Sequence, residues 1–305
     1  MMKAIISGAN GLVGMSVANY LSSLGIEVLC LGRKILSPTE VSECFGLTSS
    51  YLKLDMKDID SLVDRVESIT WSPGSKCVFF NFAWRGDQRL TDGGFSEQFN
   101  NAIYAAEAVR SAKKLGCVKF VNTGTLEETF VERSLKEGSG HSYQSTQLDY
   151  ALAKLASRDM CKMVAYLEKI DYVHTRLSVP LAPDLSRGTY VAGTLKKIID
   201  GEPYDKPKNN QLFDFVFTDD VARAYSRIGF KGKNKADYFI GTSRFMTLGQ
   251  CFEIFERLVS EGHSHEAEIN AGGGDINVGI EALYRDTGFV PETQFQDIIK
   301  ELVSP

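Results

Sequence analysis

Apolar positions in the first half of the chain fall into short runs separated by stretches with helical spacing. Lys3 to Ser7 and Glu27 to Leu31 read as buried strands, with a helix over Leu12 to Leu24 between them. The rhythm continues with a strand at Tyr51 to Leu54, a helix over Ile59 to Ser68 and a strand at Cys77 to Phe82. A long amphipathic helix over Phe95 to Leu115, a strand at Val118 to Asn122, a helix over Tyr150 to Glu168 and a strand at Asp171 to Leu177 follow. Apolar strands alternating with helices predict a parallel sheet covered on both faces.

After Ser178 the rhythm breaks, and Pro180, Pro183, Gly188, Gly193, Gly201 and Pro203 punctuate the chain. A short helix over Thr194 to Ile199 and a strand at Phe213 to Phe217 are expected there. Asp219-Asp220 should open a helix over Val221 to Ile228, and Thr247 should cap another through Leu258. Gly272-Gly273-Gly274 reads as a loop, and helices over Val278 to Thr287 and Thr293 to Val303 close the chain. The expected division is a nucleotide-binding unit over 1–177, rejoined by 213–228, and a mainly substrate-binding cap over 178–305.

Composition narrows the function classes. The 305 residues carry a formal charge of -5 with no basic stripe, so nucleic acid is not an expected partner. Six cysteines occur without a Cys-x-x-Cys pair, which predicts buried thiols in a reducing compartment. His263 and His265 stand without neighbouring ligands, so no metal is expected. No apolar run is long enough to span a bilayer, and the apolar start is too short for a signal peptide. A cytoplasmic protein is the expectation.

Gly8-Ala9-Asn10-Gly11-Leu12-Val13-Gly14 lies between the first strand and the first helix. Gly8 permits the tight turn, Gly11 lets backbone approach a pyrophosphate, and Gly14 lets the helix pack on the sheet. The amides of that helix N-terminus, with Asn10, Leu12 and Val13, should face the phosphates. A dinucleotide on a Rossmann-type doubly wound parallel sheet is therefore expected. An acidic residue commonly ends the second strand of NAD enzymes, where it binds ribose hydroxyls. Here Gly32 is followed by Arg33 and Lys34, which suit a 2′-phosphate. NADP is the expected cofactor, with NAD the alternative.

Tyr150 and Lys154 are spaced i, i+4 at the start of a helix, on one face. An ammonium beside a phenol favours the phenolate, so Tyr150 could exchange a proton with a hydroxyl or ketone near neutral pH. Thr125 lies just past the fifth strand, so all three can reach the carboxyl end of the sheet, where open α/β sheets bind ligands.

The glycine spacing and the Thr125, Tyr150 and Lys154 set resemble the extended short-chain dehydrogenase/reductase superfamily of nucleotide-sugar epimerases, dehydratases and reductases. The resemblance covers nearly the whole chain and is most specific before about residue 225. It implies a Ser/Thr–Tyr–Lys triad, with Lys154 also holding the nicotinamide ribose. It implies that Asp55, followed by Met56, contacts the adenine. Phe82 and Ala83, Asn101, and Leu177 with Ser178 and Val179 would line the path of the dinucleotide and nicotinamide. Phe213-Asp214-Phe215 resembles the family's Arg-Asp-Phe in the sugar-binding region. A homodimer through the helices starting near Phe95 and Tyr150 is also implied.

Two departures bear on substrate. Phe213 stands where the family has an arginine for the nucleotide diphosphate, and Val179 replaces a common asparagine. Lys206, Lys208, Arg187 or Arg244 could supply the cation instead. Arg85, Glu127, Glu128, His141 and Tyr143 are further candidates for substrate contacts. Family dehydratases often read Thr-Asp-Glu where this chain has Thr125-Leu126-Glu127, and a leucine cannot act as the acid. The expected activity is reduction of a nucleotide-linked 4-keto sugar at C4, with 4-epimerase as the alternative. A 4,6-dehydratase, a small-carbonyl reductase and a non-catalytic dinucleotide sensor come after these.

Overall fold

The computed structural model describes residues 2–86, 94–137, 148–185, 190–207, 212–260 and 278–294. Seven parallel strands form the central sheet: β1 (Met2–Ser7), β2 (Glu27–Gly32), β3 (Ser49–Lys53), β4 (Lys76–Asn81), β5 (Lys119–Thr125), β6 (Asp171–Leu177) and a late strand at Asp237–Ile240. Their spatial order is the late strand, β6, β5, β4, β1, β2, β3. The sheet is thus a doubly wound Rossmann-type α/β fold. The chain reverses its direction of travel between β1 and β4, and such a switch point opens a ligand crevice at the carboxyl ends of the strands.

Consecutive strand residues serve opposite faces, which is why β1, β2 and β4 are buried along most of their length. Ile6, Cys30, Phe80 and Val121 pack on one face with α1 (Leu12–Ser23) and a later helix at Thr218–Lys231. Ile5, Leu29, Phe79 and Phe120 pack on the other, against α4 (Phe95–Lys114) and α6 (Leu148–Glu168).

Between these elements lie α2 (Pro38–Phe45), a 3₁₀ turn over Met56–Ser61, α3 (Leu62–Glu67) and α5 (Glu127–Glu137). α2 and α5 were not expected from the hydrophobic pattern. α2 nonetheless carries a capping box: Ser37 Oγ accepts from Glu40 N–H, and Glu40 Oε2 accepts from Ser37 N–H. Pro38 at its first position reinforces that start.

The remaining elements are β7 (Val179–Leu181), α7 (Tyr190–Ile199), β8 (Leu212–Phe213), β9 (Phe215–Phe217), α8 (Thr218–Lys231), β10 (Asp237–Ile240), β11 (Met246–Thr247), α9 (Leu248–Ser260) and α10 (Glu281–Thr287). The single strand expected at Phe213 to Phe217 is two strands. Phe213 pairs with Met246, whereas Phe215 pairs with Val179. Asp214 divides them, with its buried carboxylate accepting from the N–H groups of Thr242 (2.7 Å) and Ser243 (3.0 Å). β10, a strand the pattern did not predict, pairs with β6 and returns the chain to the sheet. A second apolar cluster joins α7, α9, β7 and β9 through Leu195, Phe215, Phe217, Phe252 and Phe255. Among the described residues, no helix is long and apolar enough to cross a membrane. Gly272-Gly273-Gly274, His263, His265 and most of the expected helix over Thr293 to Val303 lie outside the described residues.

Candidate active site

β1 ends at Ser7, and the chain turns at Gly8 with φ +70°, a conformation that favours glycine. A Cβ on Gly8 would come within 2.7 Å of the Ala83 backbone nitrogen, so Gly8 also lets the loop lie against the end of β4. A Cβ on Gly14 would collide with the Gly8 carbonyl and lie 2.9 Å from Ala9 Cα. Gly11 closes the turn by donating to Gly8 O and caps α1 without a side-chain partner. The first amides of α1, including those of Leu12, Val13 and Gly14, have no acceptor within the helix, and its first turn holds no carboxylate. This is a cradle for an anionic diphosphate, so the residues present fit a dinucleotide.

At the end of β2, Asn10 and Tyr51 close over Gly32, where a Cβ would meet Asn10 Oδ1 and come within 2.7 Å of the Tyr51 hydroxyl. The Tyr51 hydroxyl lies 3.0 Å from both Asn10 Oδ1 and Lys34 O, fixing the turn that carries Arg33 and Lys34. Both cations are exposed beyond β2. Asp55 caps the 3₁₀ turn, accepting from Lys57 N–H, and Met56 begins that turn. Tyr51 was not among the expected site residues. Its place at the head of the strand expected after the Arg33-Lys34 turn was the sequence clue.

At the ends of β4 and β5, Lys154 and Tyr150 meet Trp84. Lys154, on α6, is buried and donates to the Thr123 carbonyl at 2.8 Å. Its ammonium lies 3.9 Å from the centre of the Trp84 ring and 5.7 Å from that of Tyr150. Trp84 stands edge-on to Tyr150, their ring centres 5.9 Å apart. Indole and ammonium at that separation attract one another, so Trp84 helps hold the lysine charge in a largely dry setting. Trp84 in turn donates from Nε1 to Gln98 Oε1 at 2.7 Å. The segment was expected to lie near the site, but the role of the indole was not foreseen.

Phe82 donates its N–H to Ser7 O, and Ala83 packs on Gly8, so both border the glycine loop. Asn101 accepts from Arg85 N–H and donates to Arg85 O, both at 2.9 Å, so its side chain braces the 84–86 loop from behind. Arg85 itself is exposed and ion-paired with Glu97.

Thr125 ends β5 in register with Leu177 on β6. Its hydroxyl oxygen accepts from Glu127 N–H at 3.4 Å. Leu126 turns into an apolar cluster with Phe239 and Phe245. Glu127 is nearly buried at the start of α5. Glu128, expected to meet substrate, instead points inward and is fully buried beside His174. A second polar chain crosses the sheet ends: Ser7 donates to Asn81, Asn81 to Asn122, and Asn122 to Ser157.

Farther out, Val179 pairs with Phe215, and Phe213 packs partly buried against the second apolar cluster. Thr242, Arg244, Met246, Phe215, Phe217, Thr293 and Gln294 line a small surface pocket. Of the replacement cations considered, Arg244 lies in this pocket, while Lys206 is paired with Glu256. Arg187, Lys208, His141 and Tyr143 lie outside the described residues.

With this geometry in place, comparison with known proteins identifies the family. The model of the NAD dependent epimerase/dehydratase family matches residues 4–241, from the first strand of the sheet to its last. The chain belongs to that family. It is 23% identical over 277 residues to CDP-abequose synthase of Salmonella muenchen, covering 88% of this chain and 84% of that one. UDP-glucose 4-epimerase of Thermotoga maritima shares the fold with a TM-score of 0.72 and 16% identity, over 98% of this chain and 96% of that one. The dTDP-glucose 4,6-dehydratase of Streptomyces venezuelae, solved with NAD bound, gives a TM-score of 0.73 and 17% identity over 99% and 96%. The doubly wound sheet with its switch point between β1 and β4 is the fold this chain shares with those structures.

Proposed function

We propose that this enzyme is an NADP-dependent reductase of nucleotide-linked 4-keto sugars. The observation that carries the reading is that Lys154, beside Tyr150, reaches the Thr123 carbonyl on β5, two residues before Thr125 at the end of that strand. When bound, the reduced dinucleotide supplies a hydride to the sugar carbonyl carbon. As that C=O bond becomes a C–O single bond, the Tyr150 hydroxyl gives its proton to the oxygen. Thr125 donates a hydrogen bond to the same oxygen, and the Lys154 ammonium favours the phenolate left behind. Lys154 also holds the nicotinamide ribose, and Leu177 and Val179 border the ring.

Three features support reduction over its alternatives. Arg33 and Lys34 stand where an acidic residue would favour NAD, so they suit the 2′-phosphate. Leu126 replaces the acid that dehydration needs and is buried in an apolar cluster. The similarity to an enzyme named CDP-abequose synthase also fits a biosynthetic nucleotide-sugar role. The second reading is a 4-epimerase, favoured by the family match, in which the same residues would return the hydride within one turnover.

The cytoplasm is the proposed compartment, since all six cysteines are free thiols. The test is absorbance of NADPH in the presence of 4-keto-6-deoxyhexoses linked to CDP, UDP, GDP and dTDP. Steady oxidation is expected with one of them, and Tyr150→Phe should lower kcat by roughly 10²–10⁴-fold with dinucleotide affinity retained. Full activity in that variant would refute the proton-transfer role.

A further inference from the structure

Directly beneath the last turn of β5 lies a buried polar assembly that the reaction scheme does not use. Glu128 Oε1 accepts from the Thr125 backbone N–H at 2.8 Å. Its other oxygen lies 2.9 Å from His174 Nε2. His174 Nδ1 lies 3.3 Å from the Tyr172 hydroxyl, which donates to Arg158 O at 3.2 Å. Glu128 is 0% exposed and His174 2%. Gly124 leaves the space for this pair, because a Cβ there would collide with Glu128 Oε1 and His174 Nε2.

Burying a carboxylate is costly unless it is paired and hydrogen-bonded, and an apolar residue at position 128 would fill the same space at less expense. What the carboxylate adds is a charge-assisted bond to one particular amide, that of Thr125. We propose that Glu128, braced by His174, is a positioning residue that sets how Thr125 is presented to the substrate oxygen. This rests on the role assigned to Thr125 above. β6 supplies the brace and β5 the residue it positions, so the dyad ties Thr125 to the neighbouring strand as well as to α5. Small displacements of a group aligned on a reacting oxygen reduce the chemical step far more than binding.

Two measurements test this. In protein labelled with ¹⁵N-threonine, the Thr125 amide should resonate downfield, and Glu128→Ala should move it upfield while the Thr218 amide stays in place. With NADPH and CDP-linked 4-keto-6-deoxyglucose, Glu128→Ala should lower kcat roughly tenfold without raising the KM for NADPH. The same change in a Thr125→Ala background should cost almost nothing further, because the residue it acts through is gone. Glu128→Gln, which keeps an acceptor for the amide, should recover most of the loss. If Glu128→Ala does not fold, His174→Asn removes the brace and carries the same double-mutant cycle and the same amide measurement. An unmoved Thr125 resonance, or equal losses in both backgrounds, would overturn the proposal. Full activity in Thr125→Ala alone would overturn the role of Thr125 itself, and is told apart because it needs no change at Glu128.

Discussion

At the scale of single residues, small backbone positions shape the site as much as the candidate catalytic side chains do. Gly14 allows α1 to start against the Gly8 carbonyl, and its substitution by alanine forces backbone apart. Gly14→Ala should therefore weaken NADPH binding at least about tenfold, measured by enhancement of cofactor fluorescence, while a melting curve checks that the fold persists. Unchanged affinity would mean that the phosphates lie elsewhere. Arg33→Ser should weaken NADPH by roughly tenfold to a hundredfold, the worth of a charge-assisted bond, and leave NADH nearly unaffected. Equal losses for both cofactors would argue against a 2′-phosphate contact. Much of this scale was legible in the sequence, because glycine spacing and the Tyr150-to-Lys154 interval are local properties. The partners of Lys154 were not legible. Trp84 and Thr123 meet it only because β4 and β5 end where α6 begins.

At the scale of elements, the first six strands and the long helices followed from apolar periodicity, since all but the half-exposed β3 bury a run or stripe. The misses have physical causes. α5 carries Phe130, Val131 and Leu135 at spacings that make no clean stripe. β10 has four residues, too few for a period, and its partner β6 lies some sixty residues earlier in the chain. The split of Phe213 to Phe217 depends on Asp214, whose acceptors serve a loop almost thirty residues away.

Burial pushes the Asp214 carboxyl up to about 6, against the pull of hydrogen bonds from Thr242, Ser243 and Phe215. The folded chain thus holds this proton more tightly than the unfolded chain, where an aspartate titrates near ~3.9. Its contribution to stability is fully present below the unfolded value and is lost as pH rises through about 6. Between those values, this group should lower unfolding free energy with rising pH, by at most about 1.4 kcal/mol per unit. Denaturant titrations of Asp214→Asn should lack that component. An identical pH slope in the variant would show that Asp214 does not titrate there.

At the scale of the whole molecule, the sheet faces are covered but the outer side of the α4 and α6 pair is not. Met160, Met163 and Leu167 recur at helical spacing on α6 and are exposed, as are Phe95 and Ile103 on α4. An apolar stripe of this kind suits a second copy of the chain. A homodimer is expected by light scattering, and Met163→Glu should shift it toward monomer. A wild-type monomer at micromolar concentration would contradict that expectation.

Hydride transfer to C4 of a nucleotide-linked sugar leaves an isotopic record in the product. Incubation of CDP-linked 4-keto-6-deoxyglucose with NADPH deuterated at the transferable position should give oxidised cofactor and product in equal amounts. One deuterium should appear at C4, seen by mass spectrometry and NMR. Interconversion of nucleotide hexoses differing at C4, with no net cofactor oxidation and no deuterium taken from the added pool, would contradict the reductase and establish the epimerase.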